Sequence, residues 1–97
     1  VDALAKLRAQ IDNLDEELLG LVSERMKLAE KIGEYKRDNN ITILQKQRWN
    51  EILEKSIQKG IHLGLSPEFI TRYFDAVHLE SISRQNSVMY AKKEESK

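Results

Sequence analysis

Residues 1–36 read VDALAKLRAQIDNLDEELLGLVSERMKLAEKIGEYK, and the fold turns on how that stretch is read. Leu4, Leu7, Ile11, Leu14, Leu18 and Leu21 recur at alternating gaps of three and four, and Leu28, Ile32 and Tyr35 resume the series. That spacing lays one apolar stripe along one side of an α-helix. One slot breaks it: where an apolar residue belongs between Leu21 and Leu28, the chain has Arg25. A guanidinium on a burying stripe is costly unless it meets a carboxylate or another anion. Pairing with Glu24, Glu30 or another acid is one answer; the start of a binding site is the other.

The helix is expected to span residues 2–37, with Asp2 as N-cap. At ~1.5 Å per residue it is roughly 50 Å long. A compact chain of about 100 residues is only about 26 Å across. The remaining 60 or so residues therefore leave part of the stripe uncovered, and a second copy packed antiparallel would cover it. A plain coiled-coil seam is the commoner use of such a heptad run.

Further along, Asp38-Asn39-Asn40 is a turn cluster that ends the first helix. Ile41-Thr42-Ile43 reads as a short extended link. A second helix is expected over residues 44–59, with Arg48, Trp49, Ile52, Leu53, Ser56 and Ile57 on one side and Gly60 just past its end. Ser66-Pro67-Glu68 places a capping hydroxyl, a proline at the first helical position and an acid in the first turn, which together start a third helix. It is expected to reach residue 90, with an inner face of Ile70, Tyr73, Phe74, Val77, Ser81, Gln85 and Val88. Residues 91–97 read as a charged tail that frays. The expectation is an all-α chain of one long, one short and one medium helix, forming an intertwined antiparallel homodimer.

Composition narrows the function. The 97 residues hold 16 basic and 16 acidic side chains, so no net positive field argues for nucleic acid. No apolar run approaches the ~20 residues of a membrane span, and no signal-peptide pattern opens the chain. With no cysteine, disulfides and thiol chemistry are excluded, and a cytoplasmic setting is mildly favoured. Two histidines, His62 and His78, on different expected elements argue against a metal site. The chain opens on Val rather than Met, which suggests a domain cut from a longer protein. Neither a glycine-rich phosphate loop nor a nucleophile–base–acid set is present.

Five polar residues fall on or beside faces that periodicity would bury: Arg25, Lys36, Arg48, Ser81 and Gln85. Each has an ordinary explanation. Lys36 suits a helix C-terminus; the stem of Arg48 can pack on Trp49; Ser81 and Gln85 can hydrogen-bond a neighbouring helix. Together on three helices they suggest a pocket. Arg25 and Lys36 are eleven residues apart, near three turns, so they share a face about 16 Å apart. Arg8 edges the same stripe about 25 Å from Arg25, beyond reach within one chain. In an antiparallel pair crossing near Leu19, residue 8 of one copy lies beside residue 30 of the other. Two equal pockets would result, each completed by the other subunit. Three or four cations, a hydroxyl and a neutral amide suit a compact dicarboxylate.

These residues resemble the all-helical chorismate mutases, three-helix intertwined dimers of aromatic amino acid biosynthesis in the shikimate pathway. The resemblance rests on Leu7-Arg8-Ala9-Gln10-Ile11-Asp12 with Leu14-Asp15, Leu18-Leu19, Ser23-Glu24-Arg25, Ile32-Gly33-Glu34-Tyr35-Lys36, Arg48, and Glu80-Ser81 with Gln85. Its most specific element is the ordered spacing of Arg8, Arg25, Lys36, Arg48 and Gln85. It implies an isomerase that rearranges chorismate to prephenate without cofactor or metal. Arg25 and the partner's Arg8 would bind the two carboxylates, and Arg48 would line the anionic pocket. Lys36 and Gln85 would hydrogen-bond the ether oxygen, and Ser81 would contact a carboxylate. Two positions depart from the pattern. Gln45 stands where many members have an acid, and Trp49 where many have the glutamate that binds the ring hydroxyl. The indole N–H cannot accept a hydrogen bond, so hydroxyl recognition would pass to Gln45, a backbone group or water, with weaker catalysis or binding than in relatives that keep the acid. The resemblance leaves room for an isochorismate pyruvate lyase, and for a non-catalytic dimerisation or regulatory module of a shikimate-pathway enzyme. Members fused to another enzyme of the pathway make a fused domain an expected partner.

Overall fold

The computed structural model describes residues 2–95. Three helices carry the regular structure: α1 (Ala3–Asp38), α2 (Lys46–His62) and α3 (Pro67–Glu95). Among the described residues there is no strand. The all-α expectation holds, and its boundaries fall within two residues except at the ends of α2 and α3. The molecule measures 62 × 28 × 15 Å, with a radius of gyration of 17.4 Å. A compact chain of this length would have a radius near 13 Å. The excess is α1, whose N-terminal half projects beyond the other helices.

Several helix ends follow from local chemistry. Asp2 occupies the N-cap position of α1 in extended backbone, but its side chain makes no capping bond. At the other end Asn40 takes φ 55°, a left-handed conformation that asparagine tolerates better than most residues. The amide of Ile41 then reaches back to the carbonyl of Lys36 at 2.8 Å, and that of Asn40 to Arg37 at 3.4 Å. Ser66 caps α3 through its hydroxyl, which accepts from the Phe69 amide at 3.2 Å, with Pro67 at the first helical position.

Gly60 does not end α2. The helix runs on to His62, and the reversal falls at Gly64, with φ 84° and its amide bonded to the Ile61 carbonyl at 3.0 Å. The Leu65 amide meets the Gly60 carbonyl at 2.9 Å, completing a two-bond helix stop. Gly60 is buried inside the helix against Ile70, whose Cδ1 occupies the space a Cβ would need. α2 also starts at Lys46 rather than Leu44, since the preceding residues close the loop. α3 continues past residue 90 to Glu95, so the first part of the expected tail is helical; residues 96–97 lie outside the described residues.

α3 is the common partner. α1 and α2 both pack on it, and among the described residues they do not pack on each other. Its inner face is as expected: Ile70, Val77, Ser81 and Gln85 are buried. The matching face of α1 is not the leucine stripe. It is Met26, Ala29 and Gly33, all buried, whose small members let the two backbones approach. The stripe itself lies open: Leu4, Leu7, Ile11, Leu14, Leu18 and Leu21 are between 47 % and 63 % exposed.

At Gly33 the backbones of α1 and α3 approach closely. A Cβ there would stand 2.9 Å from the Gln85 Cα and 3.1 Å from its carbonyl oxygen. Backbone cannot move aside as a side-chain tip does. Gly33→Ala gains about 1 kcal/mol of helix propensity but overpacks the contact, at a cost of about 1–3 kcal/mol. The expected net result is a thermal midpoint unchanged to several degrees lower; a higher midpoint would show that the helices shift apart at little cost.

Candidate active site

Because α1 and α2 diverge across α3, they leave a wedge-shaped cavity of about 380 Å³ between them. α1 supplies Arg25, Lys36 and the apolar Leu28, Ala29 and Ile32; α2 supplies Arg48, Trp49 and Ile52. α3 adds His78, Ser81, Ile82 and Gln85, and the loop between α1 and α2 adds Ile43 and Gln45. Six of the seven residues singled out from the sequence thus meet in one place. The seventh, Arg8, is exposed on the projecting half of α1 and does not line the cavity.

The polar groups are held in fixed orientations. Nη1 of Arg25 donates to Oγ of Ser81 at 2.5 Å, and that hydroxyl donates onward to the Val77 carbonyl at 2.9 Å. Nζ of Lys36 donates to Oε1 of Gln85 at 2.8 Å and to the Ile43 carbonyl at 2.6 Å. Nε2 of Gln45 donates to the Thr42 carbonyl at 2.9 Å, tying that residue to its own loop. Of the acids that could have neutralised Arg25, Glu30 pairs instead with Arg84 at 2.8 Å, and Glu24 makes no salt bridge to Arg25. Among the described residues no carboxylate stands within salt-bridge distance of Arg25, and none lines the cavity.

Three cations therefore face a half-enclosed apolar space with no counter-charge in the wall. Burial lowers the pKa of Lys36 below its ordinary 10.5, the result of removing an ammonium from water without a carboxylate beside it. His78 is also pushed down from 6.5, chiefly by burial and further by the charges of Arg25 and Lys36, against an opposing pull from Asp75. Its ring lies flat on Trp49, with centroids 4.1 Å apart and planes inclined by 19°. Sequence reasoning missed His78 as a wall of the site. The signal was its spacing, three residues before Ser81 and seven before Gln85, which sets all three on one helical face. It also missed the Ile43 carbonyl, because backbone acceptors carry no side-chain signature.

The arrangement can bind and orient a small anion and can donate hydrogen bonds to an oxygen gaining charge. It contains no activated nucleophile. An all-helical protein with a cation-walled cavity is the class that fold and site define. Residues 7–86 match the family model of chorismate mutase type II, and the chain belongs to that family.

Among curated proteins the chain is 41 % identical over 70 residues to the bifunctional chorismate mutase/prephenate dehydratase of Aquifex aeolicus (strain VF5), covering 70 % of this chain and 19 % of that protein. It is 33 % identical over 86 residues to the protein of the same name from Escherichia coli (strain K12), covering 89 % and 22 %. To the 4-amino-4-deoxychorismate mutase of Streptomyces pristinaespiralis it is 30 % identical over 80 residues, covering 82 % and 62 %. The chain spans about a fifth of the length of the two bifunctional relatives.

Proposed function

We propose that this cavity catalyses the rearrangement of chorismate to prephenate. The observation that carries the reading is the convergence of Arg25, Lys36, Arg48, Ser81 and Gln85 on one cavity without a carboxylate, in a chain of this family. The reaction is unimolecular: a C–O bond breaks as a C–C bond forms, with no net proton transfer and no covalent intermediate. The site must select the compact conformer that brings the reacting carbons together and stabilise charge growing on the ether oxygen. Arg25 and Ser81 hold one carboxylate, and Arg48 lines the anionic end. Lys36 and Gln85 donate to the ether oxygen.

The second carboxylate falls to Arg8 of the partner subunit. The open leucine stripe on the projecting half of α1 supports an antiparallel homodimer, since a contiguous apolar row of this kind marks an association surface. A crossing near Leu19 would bring the partner's Arg8 beside residue 30, between Arg25 and Lys36. The names of the bifunctional relatives support a fused second enzyme as a further partner, and their biosynthetic activities support a cytoplasmic setting.

The test is to incubate the protein separately with chorismate, isochorismate and 4-amino-4-deoxychorismate, identify the products, and measure the size of the active species. Prephenate from chorismate in a dimer is expected. Pyruvate release from isochorismate, or preference for the amino compound, would replace this reading.

Lys36 gives the reaction an alkaline limit. Its charged form is the useful one, and its pKa is lowered, so kcat/KM is expected to fall as pH rises, at a pH below 10.5. A bound dianion favours the ammonium, so the limb in kcat should lie at higher pH than the limb in kcat/KM. Coincident limbs at the pH of a free lysine would mean that Lys36 does not sense the substrate.

A further inference from the structure

A ring hydroxyl buried with the substrate must give its proton to an acceptor, and the cavity wall has few. Arginine, lysine and the indole of Trp49 have no acceptor atom. Oγ of Ser81 already accepts one bond from Arg25, and Oε1 of Gln85 and the Ile43 carbonyl one each from Lys36, so a further donor would share an oxygen that already faces a cation. Among the described side chains of the wall, Oε1 of Gln45 and an imidazole nitrogen of His78 are left uncommitted. Gln45 is exposed at the rim, where water competes for it. His78 is half-buried, on the α3 face that also carries Ser81 and Gln85, and its ring is held flat by Trp49 at 4.1 Å.

We propose that His78 is the specificity-determining residue for the substrate's ring hydroxyl, accepting its hydrogen bond while Trp49 fixes the plane of the imidazole. The inference rests on the chorismate reading above. It explains how a chain with Trp49 and Gln45 in place of acids recognises a hydroxyl without a carboxylate. The acceptor must be neutral imidazole, because imidazolium has a proton on both nitrogens. The groups around the ring favour that form: Arg25 and Lys36 from α1 and burial outweigh Asp75 on α3, and Arg48 from α2 adds a third cation to the same cavity.

Wild type, His78→Phe and His78→Gln are compared on chorismate and on the analogue with hydrogen in place of the ring hydroxyl. His78→Phe keeps a flat ring against Trp49 and removes the acceptor. It is expected to lower kcat/KM on chorismate about 10- to 100-fold and to match wild type on the analogue. Wild-type kcat/KM on chorismate should fall as pH drops through a value below 6.5. His78→Gln, which retains a non-titrating acceptor, should keep the preference for the hydroxyl and lose that acid limb. Equal losses of His78→Phe on both substrates, or an acid limb unchanged in His78→Gln, would overturn the role of His78 alone. A wild-type protein inert toward chorismate would overturn the functional reading, and the role of His78 with it.

Discussion

Lys36→Ala is expected to lower turnover of chorismate about 10²–10³-fold while leaving the helical fold in place. The ammonium has three N–H donors. Two are held by Oε1 of Gln85 and the Ile43 carbonyl, so the third can be aimed into the cavity. That preorganisation is what matters in a transition state where charge moves onto one oxygen, because a donor already in position costs no reorientation as the bond breaks. The bond from Lys36 also fixes the amide of Gln85: with Oε1 occupied, Nε2 is left to donate. Removing Lys36 therefore disturbs two donors, and Gln85→Ala should show a loss of similar size. The fold should survive, because α1 and α3 are held together around Met26, Ala29, Gly33 and Val77 rather than by this pair. Turnover measured beside helical circular dichroism checks both halves of the statement; full turnover by Lys36→Ala would remove the proposed role.

Arg8→Ala and Arg25→Ala should each abolish most activity, and mixing the two variants should restore it to about one quarter of wild type. The figure follows from symmetry. Random exchange puts about half of the protein in mixed dimers, and each mixed dimer has one pocket with both arginines and one with neither. The prediction has a strict basis in one chain: Arg8 lies seventeen residues before Arg25 on a single straight helix, about 25 Å away, and the cavity wall does not include it. In the proposed homodimer, Arg8 would therefore serve the cavity of the other copy. Absence of recovery in verified mixed dimers would separate Arg8 from the pocket and leave the exposed leucines of α1 without a functional reason.

Much of the site was legible because a polar residue on an apolar face contradicts its surroundings. Arg25 interrupts a leucine stripe, and Ser81 and Gln85 interrupt the inner face of α3; all three line the cavity. His78 contradicts nothing. A histidine beside an apolar face is unremarkable until its ring is seen against Trp49, which belongs to another helix. The fold shows the same division. Ser66, Pro67 and Asn40 act on backbone groups within a few residues, so their effect can be read where they stand. Gly60 and Gly33 act against Ile70 and Gln85, partners distant in sequence, and nothing local distinguishes a glycine that ends a helix from one that lets another helix close in.

The sequence alone therefore determined three helices, most of their boundaries, and most of the polar residues that line the cavity, because spacing and capping operate within a turn or two of chain. Only the tertiary structure decided which face of α1 meets α3, that Gly60 packs rather than terminates, and that Trp49 and His78 form one wall. Those outcomes depend on which surfaces fit together across helices, and shape complementarity between distant segments leaves no period in the sequence to read.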